Sequence, residues 1–244
     1  MTPFSWHDAY YSELQNLYSL LVVPLAFLAY RLASPADAAR AVVPGAARFV
    51  ARASLVFAAL TMLDPIATGP LVASESLRGT AAATLVPFFF VYLGDLRVLL
   101  VAFAVARPEL PFASTLARAA AATAIVPVGT GILYATLRAF APEAHGQWLW
   151  MIYEAGFLLL CVVAVRRGLS RAGVTGPGRA FLEALFGYSA AYYALWLAAD
   201  VLIVGAELDL GWAIRMVPNQ LYYAFWVPFV SFRFFSATDA KAPR

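Results

Sequence analysis

The chain has 244 residues, of which 63% are hydrophobic and only 13% charged, and its formal net charge is +3. A soluble domain is about half apolar and a quarter charged, so this composition excludes a soluble globule and points to a bilayer, which accepts helices of about 20 apolar residues. The basic balance does not indicate a nucleic-acid partner, because the arginines sit in short linkers between apolar runs and form no basic stripe.

The first residues, Met1 to Ser12, are polar and aromatic, with no basic region ahead of an apolar core. No cleavable signal peptide is expected, and the first apolar stretch is expected to act as the insertion signal. Seven such stretches follow in chain order: Leu14–Leu32, Phe49–Ala73, Thr80–Ala106, Leu116–Leu137, Trp148–Val165, Ala180–Gly205 and Trp212–Phe235. The linkers carry turn signals, such as Ser34-Pro35-Ala36-Asp37 and the Gly173 to Gly178 segment with Pro177, and none is long enough for a soluble domain. Transmembrane barrel strands would show ~10-residue alternation of apolar and polar residues, and no such alternation is present. The expected fold is an all-α integral membrane protein: one transmembrane domain over residues 1–244, a bundle of about seven helices.

Counting Lys and Arg linker by linker gives the orientation. Arg31, Arg40, Arg48 and Arg52, then Arg107 and Arg118, then Arg166, Arg167, Arg171 and Arg179, and finally Arg233, Lys241 and Arg244 fall on one side. The alternate linkers hold only Arg78, Arg138 and Arg215, and Arg97 lies within a span. By the positive-inside rule this places the N-terminus outside and the C-terminus in the cytoplasm of a cell membrane, the bacterial inner membrane being the expected location. Tyr10, Tyr11, Trp148, Trp150 and Trp212 fall where the outer aromatic belt belongs.

A charged side chain inside a span costs ~2.5–3.5 kcal/mol on insertion scales, so each one calls for a reason. The candidates are Asp64, Asp95, Arg97, Glu154, Asp200, Arg215, Asn219 and Gln220. At 1.5 Å of rise per residue, Asp64, Glu154, Asp200, Arg215 and Asn219 come from four spans to one layer in the outer half. Residues three and four apart share a helix side. This groups Arg215, Asn219, Tyr222 and Trp226 into one stripe and Tyr193, Trp196 and Asp200 into another. Trp150, Glu154 and Phe157 form a third stripe, and Phe57, Thr61, Asp64 and Thr68 a fourth. Facing inward, the stripes would line an aromatic cavity with ionisable groups near its outer end. Asp95 and Arg97, two apart, point to different sides and are not expected to pair. Pro65 and Pro218 adjoin Asp64 and Asn219, and a proline inside a helix removes a hydrogen bond and kinks the chain. The plainer readings are a structural ion pair of Asp200 or Glu154 with Arg215, aromatic stripes that only pack, and Glu207 and Asp209 as a solvated loop pair.

Several site classes are excluded. The only histidines, His7 and His145, lie in the tail and a linker, so no metal site and no cofactor are expected. Cys161 stands alone in an apolar run as a buried hydrophobe. The only lysine is Lys241, so a covalent retinal site is absent. Phosphate-binding glycine loops and nucleophile elbows are absent too. In layout the chain resembles the small integral-membrane terpene cyclases, which use acids on the corresponding helices. Here the second span offers Asp64, but the seventh has Asn219, which cannot protonate a substrate. The Pro218-Asn219 step is similar to that of seven-helix sugar transporters, yet the third span lacks a matching Pro-Asn or Pro-Gln. Neither likeness transfers a residue role.

The leading expectation is an enzyme embedded in the membrane, a cyclase or isomerase candidate acting by acid–base chemistry on a lipid or isoprenoid-like substrate. Aromatic walls suit apolar or cationic intermediates, and a carboxyl taken out of water holds its proton more tightly. Asp64, Glu154 and Asp200 are the candidate catalytic acids, with Asp200 and Arg215 as an orienting pair. Arg215, Asn219, Tyr193, Trp196, Tyr222 and Trp226 are the candidate substrate contacts. The expected partners are membrane lipids and an apolar small molecule. The alternative is a non-enzyme: a proton-coupled transporter, a sensor, or a subunit of a larger membrane complex.

Overall fold

The computed structural model describes residues 4–77 and 79–236, and every regular element within them is helical. A short α1 (Trp6–Tyr10) precedes seven long helices: α2 (Leu14–Ala33), α3 (Pro44–Leu71), α4 (Ala81–Ala106), α5 (Phe112–Phe140), α6 (Gln147–Arg171), α7 (Gly176–Gly205) and α8 (210–234). Helices α2 to α7 are long and apolar enough to cross a membrane. The eighth matches them in length but not in composition, because Arg215, Asn219, Gln220 and Arg233 lie along it. Six of the seven expected spans are thus apolar enough to cross a membrane, and the seventh is a polar-walled helix of spanning length. Arg78, Lys241 and Arg244, used above for orientation, lie outside the described residues.

Long apolar side chains face outward along these helices, as on Ile125 (68% exposed) and Leu133 (58%) of α5. In water that surface would drive aggregation; in hydrocarbon it is the solvent-matched face. Inside, α2 packs on α3, α3 on α4, α4 on α5, α5 on α6, α6 on α7 and α7 on α8, and α8 returns to α2 and α3. Helix α4 also packs on α7 across the middle. It is the most buried of the six apolar helices, which explains how it carries both Asp95 and Arg97, each almost wholly buried.

Sequence signals account for the helix ends. The α6–α7 linker turns through Gly173 and Gly176 at φ 70° and 59°, left-handed values that favour glycine, and Pro177 sits in the first turn of α7. Asp37 accepts from the Ala39 amide at 2.9 Å and starts a 3₁₀ turn in the α2–α3 linker. One element has no periodic signal: α1 is five residues of mixed polar and aromatic type. The carboxylate of Asp209 holds it, accepting from the amides of Trp6 at 2.6 Å and His7 at 3.0 Å, the free N–H groups of a helix start. Asp209 stays exposed, as a solvated loop acid does, and also tethers the N-terminal segment.

Helical regularity breaks at the polar layer. The turns widen to the π form over Ala67–Leu71, just after Asp64 and Pro65, over Val201–Gly205, just after Asp200, and over Gln220–Phe225, just after Pro218 and Asn219. Two further widened turns, Leu14–Tyr18 and Ala164–Gly168, have no such neighbour. A π turn inserts a residue and shifts the helical phase of everything that follows, with consequences for which side chains reach the interior.

Candidate functional site

Around the polar layer the helices form a half-open cavity of about 430 Å³. It lies at the end of the bundle formed by α1, the start of α6 and α8 and the end of α3, away from the arginine-rich linkers. Asp64, Glu154, Arg215, Asn219, Tyr193, Trp196 and Tyr222 all line it. Two residues expected there do not. Asp200 is wholly buried behind Arg215. Trp226 is also buried, just past the widened Gln220–Phe225 turn, with its ring 4.6 Å from the Arg97 guanidinium. Tyr223, four residues after Asn219 and so on its side of the helix, joins Tyr222 in the cavity wall.

Arg215 is the polar hub at one side. Its Nη1 donates to Asp200 Oδ1 in a very short contact and lies 3.6 Å from Glu154 Oε1. Gln147, the first residue of α6, donates to the other Asp200 oxygen at 2.9 Å. Asp200 therefore fixes Arg215 from behind, while Glu154 faces the cavity with one oxygen toward Arg215. Among the described residues Glu154 Oε2 has no hydrogen-bond partner. The Asn219 side chain is oriented at both ends: its carbonyl accepts from Trp196 Nε1 at 2.9 Å, and its amide donates to the Tyr10 hydroxyl at 3.3 Å. This gives α1 a second anchor over the cavity, with the Tyr10 and Tyr11 rings packed 5.3 and 5.4 Å from Trp212.

Asp95 forms a second hub, which the helical-face reading of the sequence does not reveal. Its carboxylate accepts from three tyrosine hydroxyls, Tyr153 of α6, Tyr193 of α7 and Tyr222 of α8, the last at 3.2 Å and the first two in very short contacts. An ionised carboxylate is an acceptor-only group with about four lone-pair sites, which is what three O–H donors require. Tyr153 is the member most open to discovery from sequence, since it precedes Phe157 by four residues and packs against it. Gly94 lets the third tyrosine in, because a side chain there would overlap the Tyr222 hydroxyl.

Arg97, two residues on, faces the other way. It donates to Thr61 Oγ1 at 3.2 Å and, in a very short contact, to the backbone carbonyl of Tyr222 inside the widened turn. Its guanidinium lies between the Tyr222 and Trp226 rings, 4.5 and 4.6 Å from their centroids. Asp95 and Arg97 form no ion pair, as their spacing implies. Asp64 lies between the two regions, lining both the large cavity and a void of about 10 Å³ that also touches Arg97. Among the described residues only the Thr68 hydroxyl reaches the Asp64 carboxylate, at 3.3 Å, and its shorter contact is with the Asp64 backbone carbonyl at 2.8 Å. Among the described residues, no three His, Cys, Asp or Glu side chains come together as a metal-ligand set.

No protein-family model, curated protein or solved structure matches the chain. Its functional reading therefore rests on the geometry of this cavity.

Proposed function

We propose that the chain is a membrane-embedded enzyme that acts by acid–base chemistry on a lipid or isoprenoid-like substrate held in this cavity. In this reading all seven long helices cross the membrane of a bacterial cell, with the N-terminus outside and the cavity in the outer half. The observation that carries the proposal is the state of the two acids on the cavity wall. Glu154 is 3% exposed with an unpartnered Oε2, and Asp64 has one hydroxyl donor in place of a full set. Structural carboxylates in an apolar interior are expected to be fully satisfied. Acids left with free acceptor capacity beside a cavity are suited to exchanging a proton with a bound molecule. Asp64 and Glu154 are assigned the proton transfers. Asp200 with Arg215 forms the orienting pair, and Asn219 positions polar atoms of the substrate.

The test is turnover of membrane lipid or isoprenoid by purified protein, followed by mass spectrometry. Asp64→Asn and Glu154→Gln are each expected to lower the rate by about 10² or more, the usual contribution of a positioned acid or base. Wild-type rates in both variants overturn the assignment.

One observation favours a transporter as the second reading: Asp64 joins the cavity to the small void beside Arg97, as a proton-linked path through the bundle requires. That reading predicts uptake into proteoliposomes that rises with a proton gradient and vanishes in Asp64→Asn.

A further inference from the structure

The buried groups around the cavity are out of charge balance. Among the described residues the buried carboxyls are Asp64, Asp95, Glu154 and Asp200, and the buried guanidiniums are Arg97 and Arg215. Two carboxyls are in excess. Asp200 takes the close contact with Arg215, and Arg97 is turned toward Thr61 and the Tyr222 carbonyl. The excess therefore lies on the cavity side, where Asp64, Asp95 and Glu154 are all wall residues. An apolar interior tolerates a charge when an opposite one faces it; Glu154 Oε1 lies 3.6 Å from an Arg215 already held by Asp200, and Oε2 has no hydrogen-bond partner among the described residues.

The rest of the wall has the matching chemistry. Trp150, Trp196, Trp212 and several tyrosines line the same space. Aromatic faces attract cations through the ring quadrupole and are the usual means of holding a quaternary ammonium group. Among the described residues no three carboxyls gather as a metal-ligand set, which suits a diffuse organic charge better than a compact inorganic ion. At about 430 Å³ the space falls within the range of small-molecule sites, about 300–1,000 Å³.

We infer that the cavity recognises a soft organic cation: an apolar molecule with one alkylated or delocalised positive centre, seated on the tryptophan and tyrosine faces among Glu154, Asp64 and Asp95. This deepens the enzymatic reading and rests on its site, since the cation is then the substrate's charged end or the species formed when a wall acid protonates it.

The experiment uses the full chain in maltoside detergent, which carries neither charge nor ammonium. Binding of benzyltrimethylammonium is followed by tryptophan fluorescence and calorimetry, against neopentylbenzene, its uncharged isostere. The cation is expected to bind saturably and the isostere about tenfold more weakly or worse. Glu154→Gln is expected to weaken the cation by about tenfold. Trp150→Leu, which changes no charge, is expected to weaken it in the same direction, and size-exclusion profiles establish that both variants fold. Equal affinity for cation and isostere, or cation affinity unchanged in both variants, overturns the inference. Turnover is read separately: cation binding without any turnover overturns the enzyme and leaves the inference standing, whereas turnover without cation preference does the reverse.

Discussion

The Tyr222 hydroxyl lies where the first side-chain atom of any residue but glycine would stand at position 94. From that place it donates to Asp95 and comes within 3.2 Å of the Val91 carbonyl, so α4 and α8 are keyed together at the level of the cavity. Gly94→Ala is expected to destabilise the protein by about 1–3 kcal/mol, the usual cost of overpacking. In a Tyr222→Leu background the same change is expected to cost less. Thermal unfolding of the four proteins in detergent gives the coupling directly.

Asp200 and Glu154 share Arg215 unequally, and the order of their effects can be predicted. Asp200→Ala leaves a buried guanidinium facing only a 3.6 Å partner, and removal of one member of a buried pair costs about 3–5 kcal/mol. Glu154→Gln keeps the Asp200 contact and is expected to cost distinctly less stability while affecting turnover more. Equal unfolding midpoints for the two variants would contradict this division between support and chemistry.

Among the tyrosines, Tyr153→Phe and Tyr188→Phe make a matched pair. Tyr153 donates to the Asp95 carboxylate, whereas Tyr188 donates to the Leu221 carbonyl at 2.8 Å. Hydrogen bonds to charged groups contribute about 1.5–3 kcal/mol and neutral ones about 0.5–1.5. The first substitution is expected to lower the unfolding midpoint more and to weaken ligand binding, and the second to leave binding near wild type.

Asp209 gives a prediction about access. Asp209→Ala removes the acceptor for the first amides of α1, a loss of about 1 kcal/mol typical of a helix cap. Hydrogen exchange is expected to quicken over residues 6–10 and to stay unchanged in α4, where the core helices hold the amides. Unaltered exchange at residues 6–10 would show that the Trp212 rings hold α1 without the carboxylate.

The sequence makes some of this site legible and hides the rest, for reasons that can be named. Helical rise gives depth, so Asp64, Glu154, Arg215 and Asn219 can be assigned to one layer from spacing alone, and the structure places all four on one cavity wall. Helical phase is readable only while the turn is regular. Over the widened Gln220–Phe225 turn Tyr223 lines the wall and Trp226 beyond it does not, and nothing in the residue types announces the widening. The Asp95 cluster joins three helices through hydroxyls, a convergence fixed by tertiary packing and not by any one-helix pattern. Helix α1 is too short to show a period, and its Asp209 anchor lies about 200 residues downstream. Polar side chains along 210–234 also explain why apolarity alone marks six helices when seven of spanning length are present.

The opposed anchoring of Asp95 and Arg97 has a mechanical corollary. One flank of α4 is bound to α6, α7 and α8 through the tyrosines, and the other to α3 and α8 through Thr61, the Tyr222 carbonyl and the two stacked rings. Helix α4 is thus a fixed axle, clamped on both sides at one height. Turning it would break both clamps together, so entry and exit of any guest fall to the periphery, where α1 hangs from the Asp209 carboxylate, the Tyr10–Asn219 contact and a few ring contacts.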